Sequence, residues 1–511
     1  MSFSLFGHLT AREFFKMTHS AYNTIAATWQ RIHRFNHLQS MASWDRAALM
    51  PANGNGARAD AMAEMDGLLH GIRTDPQLAA NLKRAESEPL DDMQRANLRE
   101  IGRDFRNANA LPAALVQAQS LANARCEHAW RTQRPANDWN GFLGNFRDVL
   151  TLAREQATRL ADHTGLNPHD ALMDIYEPGM TGAMVDSLFG DLQTWLPALV
   201  RRVREKQARE TVVAPTGPFT KSAQYALGLE AMKLLGFDFN AGRLDESAHP
   251  FCGGVPEDTR LTTRYREDNF VGSLWGTIHE TGHGRYEQNL PREWLGQPVG
   301  WARSAGIHES QSLSFEMQIG QSRAFVGLLA PRMAAHFGAQ PAFEADNLYR
   351  WLTKVQAGFI RVEADELTYP LHIILRYGIE RDLIEGRIEA EDIPARWDEG
   401  MAKLLDIDTR GNFNHGCMQD VHWGSGLFGY FPSYTLGAMY AAQWFAAIRA
   451  ATPDLDQRMA AGDLAPVFDW LAKNIWHQGS LWSTAELVTR ATGGPLDAAH
   501  FRRHLETRYL A

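Results

Sequence analysis

The chain has 511 residues, of which 44% are hydrophobic and 22% are charged, and its net charge is −9. This composition is ordinary for a globular protein with a large core, and the charge provides no basic patch for nucleic acid or anionic membranes. The three cysteines form no CxxC pair, which argues against a thiolate zinc knuckle and a disulfide framework. The N-terminus does not resemble a secretory signal and no apolar stretch is long enough to cross a bilayer, so we expect a cytoplasmic protein without a membrane partner.

Helical periodicity dominates the chain. Apolar residues recur at three- and four-residue spacing in several windows, among them residues 13–39, 94–109, 142–164 and 184–207. Arg260, Thr262 and Arg264 instead alternate with Leu261, Thr263 and then Tyr265, and this period of two with β-branched and aromatic residues predicts a short strand. Because no clean linker divides the sequence, we predict a single domain over residues 1–511 that is mainly α with a small β-sheet. The helices before about residue 100 are expected to form a cap over a cleft.

The most specific chemical pattern lies at residues 270–290, FVGSLWGTIHETGHGRYEQNL, which we predict to be a helix. His279 and His283 are four residues apart, so their imidazoles project from consecutive turns toward one point. Two ligands of a tetrahedral metal need this arrangement. Glu280 lies beside that point, where it can act on a water molecule as a general base. A chance match on an ordinary helix is the alternative, and the surrounding sequence has to decide.

A zinc peptidase also needs a third protein ligand and an open coordination position. The extended form of the histidine motif is absent, because Tyr286 and Asn289 stand at the positions of its glycine and third histidine. A second helix is predicted over residues 304–329, where Glu309 and Glu316 are seven residues apart and share one face. Either carboxylate can be the ligand, and the other can then steady a histidine. The alternative for each is a solvated carboxylate on a helix face.

These residues stand within a larger set of motifs. HETGH, followed 26 residues later by Glu309, resembles the metal-binding segment of the carboxypeptidase Taq family of metallocarboxypeptidases. Four further segments fit that family's HPF, D-x-R-x-T, I-R-x-x-A-D and G-x-x-Q-D-x-H-W motifs: residues 249–251, 258–262, 360–365 and 416–423. All five motifs occur in the family's order without a departure. SWDRAALMP, residues 43–51, is similar to a segment near the family's N-terminus, so the resemblance covers nearly the whole chain.

The resemblance implies that His279, His283 and Glu309 bind the metal and that Glu280 is the general base. It implies a mainly helical, zincin-like fold with a long central groove, a small sheet beside the metal and an N-terminal helical cap. Members of the family are typically homodimers that remove C-terminal residues one at a time with broad preference, and zinc or cobalt supports their activity. We therefore expect a zinc-dependent homodimer whose partners are peptides with a free C-terminal carboxylate.

A carboxypeptidase has to recognise that terminal carboxylate, and an arginine offers it a bidentate partner. Arg361 is the first candidate, and its structural alternative is an ion pair with Asp365 four residues along the same helix. Arg260 is the second candidate, since its strand could run along the bound peptide; its alternative is a salt bridge with Asp258. His249 precedes a proline in a predicted loop, where a structural role and a substrate contact are both open.

Negative charge develops on the carbonyl oxygen during attack on a peptide bond, and donors aimed at this oxygen lower the barrier. The glycine-rich segment GSGLFGYFPSYTLG follows His422 and contains Tyr430 and Tyr434. Related helical zinc peptidases use a histidine and a tyrosine in this role. We predict His422 and Tyr434 as these donors, with Tyr430 as the second choice, and packing of the loop by these rings as the alternative.

The predicted reaction is metal-assisted hydrolysis of the C-terminal peptide bond, in which the ion lowers the pKa of water and Glu280 carries the proton to the leaving amine. Two other functions remain open. A zinc endopeptidase or dipeptidyl carboxypeptidase would share the groove and the ligands, and reaction products would distinguish it. A helical peptide-binding scaffold without catalysis is the second, and metal content would distinguish it.

Overall fold

The structure is a computed structural model that describes residues 20–511, with only the backbone described at Ala52. Its N-terminal part consists of helices α1 to α9, which span Ala21–Ala48, Asn55–Arg73, Pro76–Ala85, Asp92–Ala110, Ala113–Gln133, Trp139–Thr164, Pro168–Tyr176, Gly182–Gln207 and Lys221–Leu234. The helices predicted over 94–109, 142–164 and 184–207 are confirmed. The helix predicted over 13–39 is confirmed from Ala21 and continues to Ala48, whereas residues 13–19 lie outside the described residues.

Local signals set the ends of these helices. Asp91 and Gln94 form a capping box at the start of α4, and Thr181 caps α8 by accepting the backbone N–H of Met184. Gly165, with a φ of +76°, ends α6 in the left-handed conformation that glycine adopts without strain. Each boundary therefore follows from side chains adjacent to it in sequence.

Three strands form a small sheet: β1 (Gly242–Glu246), β2 (Phe251–Val255) and β3 (Asp258–Thr263). Strand β3 is central; it pairs with β1 in parallel and with β2 in antiparallel orientation. The strand predicted over 260–264 is thus confirmed, two residues earlier at its start. Strands β1 and β2 have the sequences GRLDE and FCGGV, and neither shows the alternation that identified β3.

The sheet leads into the helices that carry the predicted metal ligands. These are α10 (Val271–Gln288) and α11 (Ala305–Leu313), and α11 continues as a π-helical segment over Ser314–Gly320 before α12 (Arg323–Phe337) begins. The prediction of one uninterrupted helix over 304–329 is therefore wrong. Ser322 caps a new helix by accepting the backbone N–H of Phe325, and the π-helical turns separate the two parts.

The remaining helices, α13 to α20, span Ala345–Leu352, Tyr369–Ile384, Ile393–Leu405, Pro432–Ala451, Leu455–Ala460, Ala465–Asn474, Thr484–Thr492 and Ala498–Leu510. The mainly α fold with a small sheet is confirmed. Within residues 20–511, no helix combines the length and the apolar character that crossing a bilayer would require.

The described residues form three hydrophobic clusters, the smallest of which joins Met232 of α9 to Leu244 of β1 and Leu261 of β3. The largest extends over most elements from α5 to the C-terminus and includes the apolar face of α10. The second joins α1 to α4 through residues such as Trp29, Leu69 and Ile101. The buried ion pair between Arg303 and Glu100, 2.9 Å long, connects these two parts. The assignment of one domain and the role of the N-terminal helices as a cap stay predictions.

Helix α11 is held between α10 and α16 at very short range. A Cβ atom on Gly282 of α10 would lie 2.5 Å from the carbonyl oxygen of Gln311 and 2.6 Å from the Cα of Ser312. A Cβ atom on Gly437 of α16 would lie 2.7 Å from the Cγ of Glu309. Both separations are shorter than van der Waals contact, so the position of α11 depends on glycine on either side.

Gly282→Ala should therefore destabilise the protein by about 1–3 kcal/mol, because its methyl group meets backbone atoms that cannot rotate away. Gly272→Ala in the same helix is the matched control, since nothing lies within 4 Å of the added Cβ. That control should be neutral or up to about 1 kcal/mol more stable. Thermal unfolding midpoints of the two variants test the packing, and equal midpoints would contradict it.

Candidate metal centre

Two helices bring together three side chains that could hold a metal ion. His279 and His283 lie on consecutive turns of α10, and Glu309 lies on α11. The Nε2 atoms of the two histidines are 3.8 Å and 3.4 Å from Oε2 of Glu309, and the three residues offer donor atoms that all lie within 4.8 Å of one another. Two ligand atoms about 2.0 Å from one tetrahedral ion lie about 3.3 Å apart. The donor set therefore fits a divalent metal ion.

The second nitrogen of each histidine contacts a partner that orients the ring. Nδ1 of His279 lies 2.7 Å from Oε2 of Glu316. Nδ1 of His283 lies 2.6 Å from Nδ1 of His308, whose Nε2 lies 2.8 Å from Oε1 of Glu287. When Nε2 of His283 binds a metal, its Nδ1–H can donate to His308, and His308 can donate to Glu287. These contacts select the tautomers that leave both Nε2 atoms free for the ion.

Sequence reasoning did not identify His308 or Glu287. His308 directly precedes Glu309, and Glu287 follows His283 by four residues on the same helix face. The sequence signal for Glu287 was the four-residue spacing of His279, His283 and Glu287, which puts all three side chains on one face of the helix. It could not show which groups meet across the two helices, because the contact between His308 and His283 depends on the packing of α10 against α11.

The electrostatics of the centre follow from burial beside several carboxylates. Burial raises the pKa of Glu280 to about 7, while His279 opposes the rise. Burial lowers the pKa of His283 to about 4. Burial acts in the same direction on His279, but Glu309 and Glu316 outweigh it and raise the pKa of this histidine to about 10. The centre is thus arranged to attract positive charge, and Glu280 has the proton affinity of a base that works near neutrality.

The structure brings His422 and Tyr434 together. Nε2 of His422 lies 3.0 Å from the hydroxyl oxygen of Tyr434, and the ring of Tyr430 lies 5.3 Å from that of Tyr434. Burial lowers the pKa of His422 to about 4 and raises that of Tyr434 to about 12. Near neutrality the imidazole is uncharged and the phenol keeps its proton, so the pair can donate a hydrogen bond. Their catalytic role, and that of Tyr430, stays a prediction.

Arg361 is buried in an ion-pair cluster and is only 5% exposed. Its Nη2 donates to Oδ1 of Asp420 at 2.9 Å, and its Nη1 donates to the hydroxyl of Tyr369 at 2.8 Å. Arg376 donates to the other oxygen of the same carboxylate at 2.6 Å. Burial alone would raise the pKa of Asp420, but the two guanidinium groups hold it well below its ordinary range. The guanidinium carbon of Arg361 also lies 4.8 Å from the ring centroid of Tyr434.

The alternative role predicted for Arg361, an ion pair with Asp365 on one helix, is wrong. Arg361 lies in a single 3₁₀ turn over Arg361–Glu363, which leaves no helical face for the two residues to share. Asp365 instead accepts hydrogen bonds from the backbone N–H groups of Leu367 and Thr368. The carboxylate that pairs with Arg361 belongs to Asp420, which is 59 residues away in sequence, so local spacing could not reveal this pair.

Arg260 and His249 lie at the sheet. Arg260 forms a bidentate salt bridge with Asp258, at 2.9 Å and 2.7 Å, and its guanidinium carbon lies 4.6 Å from the ring centroid of Trp44 on α1. The structure therefore contains the salt bridge that was the alternative for this residue. His249 is exposed, and its carbonyl oxygen accepts from the hydroxyl of Ser247 at 2.6 Å. A substrate contact by either residue stays a prediction.

Metal titration distinguishes the roles of the two carboxylates on the second helix. Glu309→Ala should remove a ligand, whereas Glu316→Ala should weaken metal binding only about 10–100-fold, because it releases the ring of His279. Exposed Glu293→Ala is the control and should titrate like the unaltered protein. A site that Glu316→Ala empties and Glu309→Ala leaves intact would reverse the assignment.

Comparison with known proteins places this geometry in a family. Residues 24–509 match the family model described as "Carboxypeptidase Taq (M32) metallopeptidase". Thermostable carboxypeptidase 1 of Thermus thermophilus is 38% identical over 486 residues, 93% of this chain and 95% of the relative. Carboxypeptidase 1 of Bacillus subtilis is 32% identical over 488 residues, 94% of this chain and 96% of the relative.

Solved structures give the same result. Metallocarboxypeptidase 1 of Trypanosoma cruzi superimposes with a TM-score of 0.94 at 46% identity, over 96% of this chain and 99% of that one. A carboxypeptidase of Pyrococcus furiosus superimposes with a TM-score of 0.91 at 31% identity, over 96% and 99% of the two chains. The protein belongs to the carboxypeptidase Taq family of metallopeptidases.

Proposed function

We propose that this protein is a zinc-dependent carboxypeptidase in which His279, His283 and Glu309 bind the ion and Glu280 is the general base. The observation that carries the proposal is the approach of both histidine Nε2 atoms to one oxygen of Glu309, at 3.8 Å and 3.4 Å. Two histidines and one glutamate are the donor set of catalytic zinc in several peptidases, with one coordination position left open. Cobalt is the expected substitute.

The ion, when bound, polarises the scissile carbonyl and lowers the pKa of water. Glu280 follows the first ligand directly on α10 and is 6% exposed. Its carboxylate accepts the proton of the attacking water and then passes it to the nitrogen of the leaving amino acid. Burial raises the proton affinity of this carboxylate and a neighbouring positive charge opposes the rise, which suits a group that has to gain and lose the same proton in one cycle.

The hydroxyl of Tyr434 donates a hydrogen bond to the carbonyl oxygen of the scissile bond, and Nε2–H of His422 donates to that hydroxyl and orients it. The phenol of Tyr434 keeps its proton near neutrality, and its hydroxyl lies 3.0 Å from Nε2 of His422. Glu309 is close enough to Tyr434 to contribute to the rise of its pKa, which supports a position of the phenol beside the metal ligands. Donors of this kind stabilise the charge that develops on the oxygen. Tyr430 is the alternative donor.

Arg361 binds the terminal carboxylate of the peptide. Its cluster contains two guanidinium groups, those of Arg361 and Arg376, which share the single carboxylate of Asp420. One positive charge is therefore left without a partner within this buried cluster, and a substrate carboxylate would neutralise it. The guanidinium of Arg361 contacts the ring of Tyr434, so the proposed carboxylate-binding group and the proposed carbonyl donor are neighbours. This short separation favours release of one residue at a time.

The same cluster argues against the two alternatives. An endopeptidase has no terminal carboxylate to bind, and a dipeptidyl carboxypeptidase would need its positive charge one residue farther from the proposed carbonyl donor than Arg361 is from Tyr434. A scaffold without catalysis would not require Glu280 to be buried next to an intact ligand set.

We also propose a cytoplasmic location, which three free cysteines support, and a homodimeric state, which rests on resemblance to the family.

Replacement of the general base gives the first test. Glu280→Gln should retain the metal and lose at least about 100-fold in kcat, since only proton transfer is removed. Metal content and kcat are measured on one sample loaded with zinc. Near-normal turnover in a fully loaded sample would refute the role of Glu280.

The carboxylate clamp is tested with one peptide in two forms, as the free acid and as the C-terminal amide. Loss of a buried charge-assisted pair costs about 2–5 kcal/mol, so the amide should be a poor substrate. Arg361→Gln should be slow on the acid and should lose most of the preference for it. Arg260→Gln should keep this preference. A preference that survives in Arg361→Gln and collapses in Arg260→Gln would assign the clamp to Arg260.

A further inference from the structure

The hydrogen bond from Arg361 to Tyr369 leaves the hydroxyl hydrogen of Tyr369 free to donate. A guanidinium group has five N–H donors and no acceptor. The Nη1 of Arg361 lies 2.8 Å from the hydroxyl oxygen of Tyr369, so the oxygen of Tyr369 has to accept this hydrogen bond. The hydrogen of the same hydroxyl is then free to point elsewhere. Across residues 20–511, no other side chain or backbone acceptor lies within hydrogen-bonding distance of it.

Tyr369 is more accessible than the arginine it contacts. Arg361 is 5% exposed, whereas Tyr369 is of intermediate exposure, like Tyr434 and His422. The rings of Tyr369 and Tyr434 pack edge to face with centroids 6.2 Å apart. Besides burial, Tyr434 and Glu309 both contribute to the rise of the pKa of Tyr369, which supports a position of its phenol near the metal ligands and the proposed carbonyl donor.

A rigid turn holds Tyr369 in this place. The carboxylate of Asp365 accepts the backbone N–H groups of Leu367 and Thr368, each at 3.0 Å, and the hydroxyl of Thr368 at 2.9 Å. Tyr369 follows as the first residue of α14, and Pro370 stabilises the first turn of this helix. Asp365, which has no role in the reaction derived above, thus fixes the direction of Tyr369.

We propose that Tyr369 is a second substrate-binding residue, whose hydroxyl donates a hydrogen bond to the terminal carboxylate that Arg361 binds. The proposal rests on the function proposed for Arg361. The positive charge of Arg361 polarises the hydroxyl through their hydrogen bond, and the hydroxyl presents its hydrogen to a carboxylate that approaches from the metal centre. Burial raises the pKa of Tyr369 well above its ordinary value, so the donor keeps its proton.

Tyr369→Phe removes the hydroxyl and keeps the ring. A hydrogen bond to a charged group is lost, so kcat/KM for the free acid should fall about 10–100-fold, mostly through KM. The matching amide should lose little. Tyr349→Phe is the control, because that hydroxyl lies 3.5 Å from the carbonyl oxygen of Arg508, outside the arginine cluster. The control should keep the acid-to-amide ratio, and all zinc-loaded variants should share the metal content of the unaltered enzyme.

A double-mutant cycle distinguishes substrate contact from positioning. The acid-to-amide ratio of kcat/KM is measured for the unaltered enzyme, Tyr369→Phe, Arg361→Gln and the double variant. If Tyr369 contacts the substrate, Arg361→Gln should retain a residual preference for the acid that the double variant loses. If Tyr369 only positions Arg361, the double variant should match Arg361→Gln, which would overturn the proposal.

Two further outcomes separate this proposal from that for Arg361. An unchanged ratio in Tyr369→Phe, together with a collapsed ratio in Arg361→Gln, overturns the role of Tyr369 alone. A reduced ratio in Tyr369→Phe, together with an unchanged ratio in Arg361→Gln, overturns the role of Arg361 and supports that of Tyr369. Should Arg361→Gln fail to fold, Arg361→Lys replaces it in the cycle, since it keeps the charge and loses the planar fork.

Discussion

The site depends on close packing of α11 between α10 and α16. A tetrahedral ion needs its ligand atoms about 3.3 Å apart, yet Glu309 and the two histidines come from different helices. Helices with ordinary side chains at their contact have axes 8–10 Å apart. Gly282 lets the backbone of α10 approach Gln311 and Ser312, and Gly437 leaves room for the side chain of Glu309. The chemistry therefore rests on two glycines that take no part in it.

Around this contact, hydrogen bonds between ionisable side chains orient the histidines of the candidate site. Glu316 orients His279, while His308 and Glu287 orient His283. Across the site, Asp420 holds two arginines, and the arginine nearer to Tyr434 is the proposed clamp. The candidate metal centre has an excess of carboxylates that would attract a cation, whereas the arginine cluster has an excess of positive charge that would attract an anion. A peptide with its scissile carbonyl at the first and its carboxylate at the second would be oriented by both.

Much of the fold and part of the site could be predicted from the sequence. The spacing of His279 and His283 specifies their convergence wherever the segment is helical, and helical periodicity identified the long helices. Spacing left Glu309 and Glu316 equivalent, because residues seven apart share a face of a helix; resemblance to a family, rather than geometry, favoured Glu309. Local patterns do not encode contacts between distant segments. Such contacts determine the π-helical turns, the hydrogen bonds that His308 makes with His283 and Glu287, and the pairing of Arg361 with Asp420. Strands β1 and β2 were missed for a related reason, since pairing with β3 rather than their own alternation makes them strands.

The most direct test of this account is anomalous diffraction at the zinc edge from crystals of the zinc-loaded protein. We expect one strong peak per chain, about 2.0–2.1 Å from Nε2 of His279 and of His283 and about 2.0–2.2 Å from a carboxylate oxygen of Glu309. Glu316 should remain bound to Nδ1 of His279 and outside the coordination sphere. A peak coordinated by Glu316, or one that lies away from the two histidines, would contradict the account.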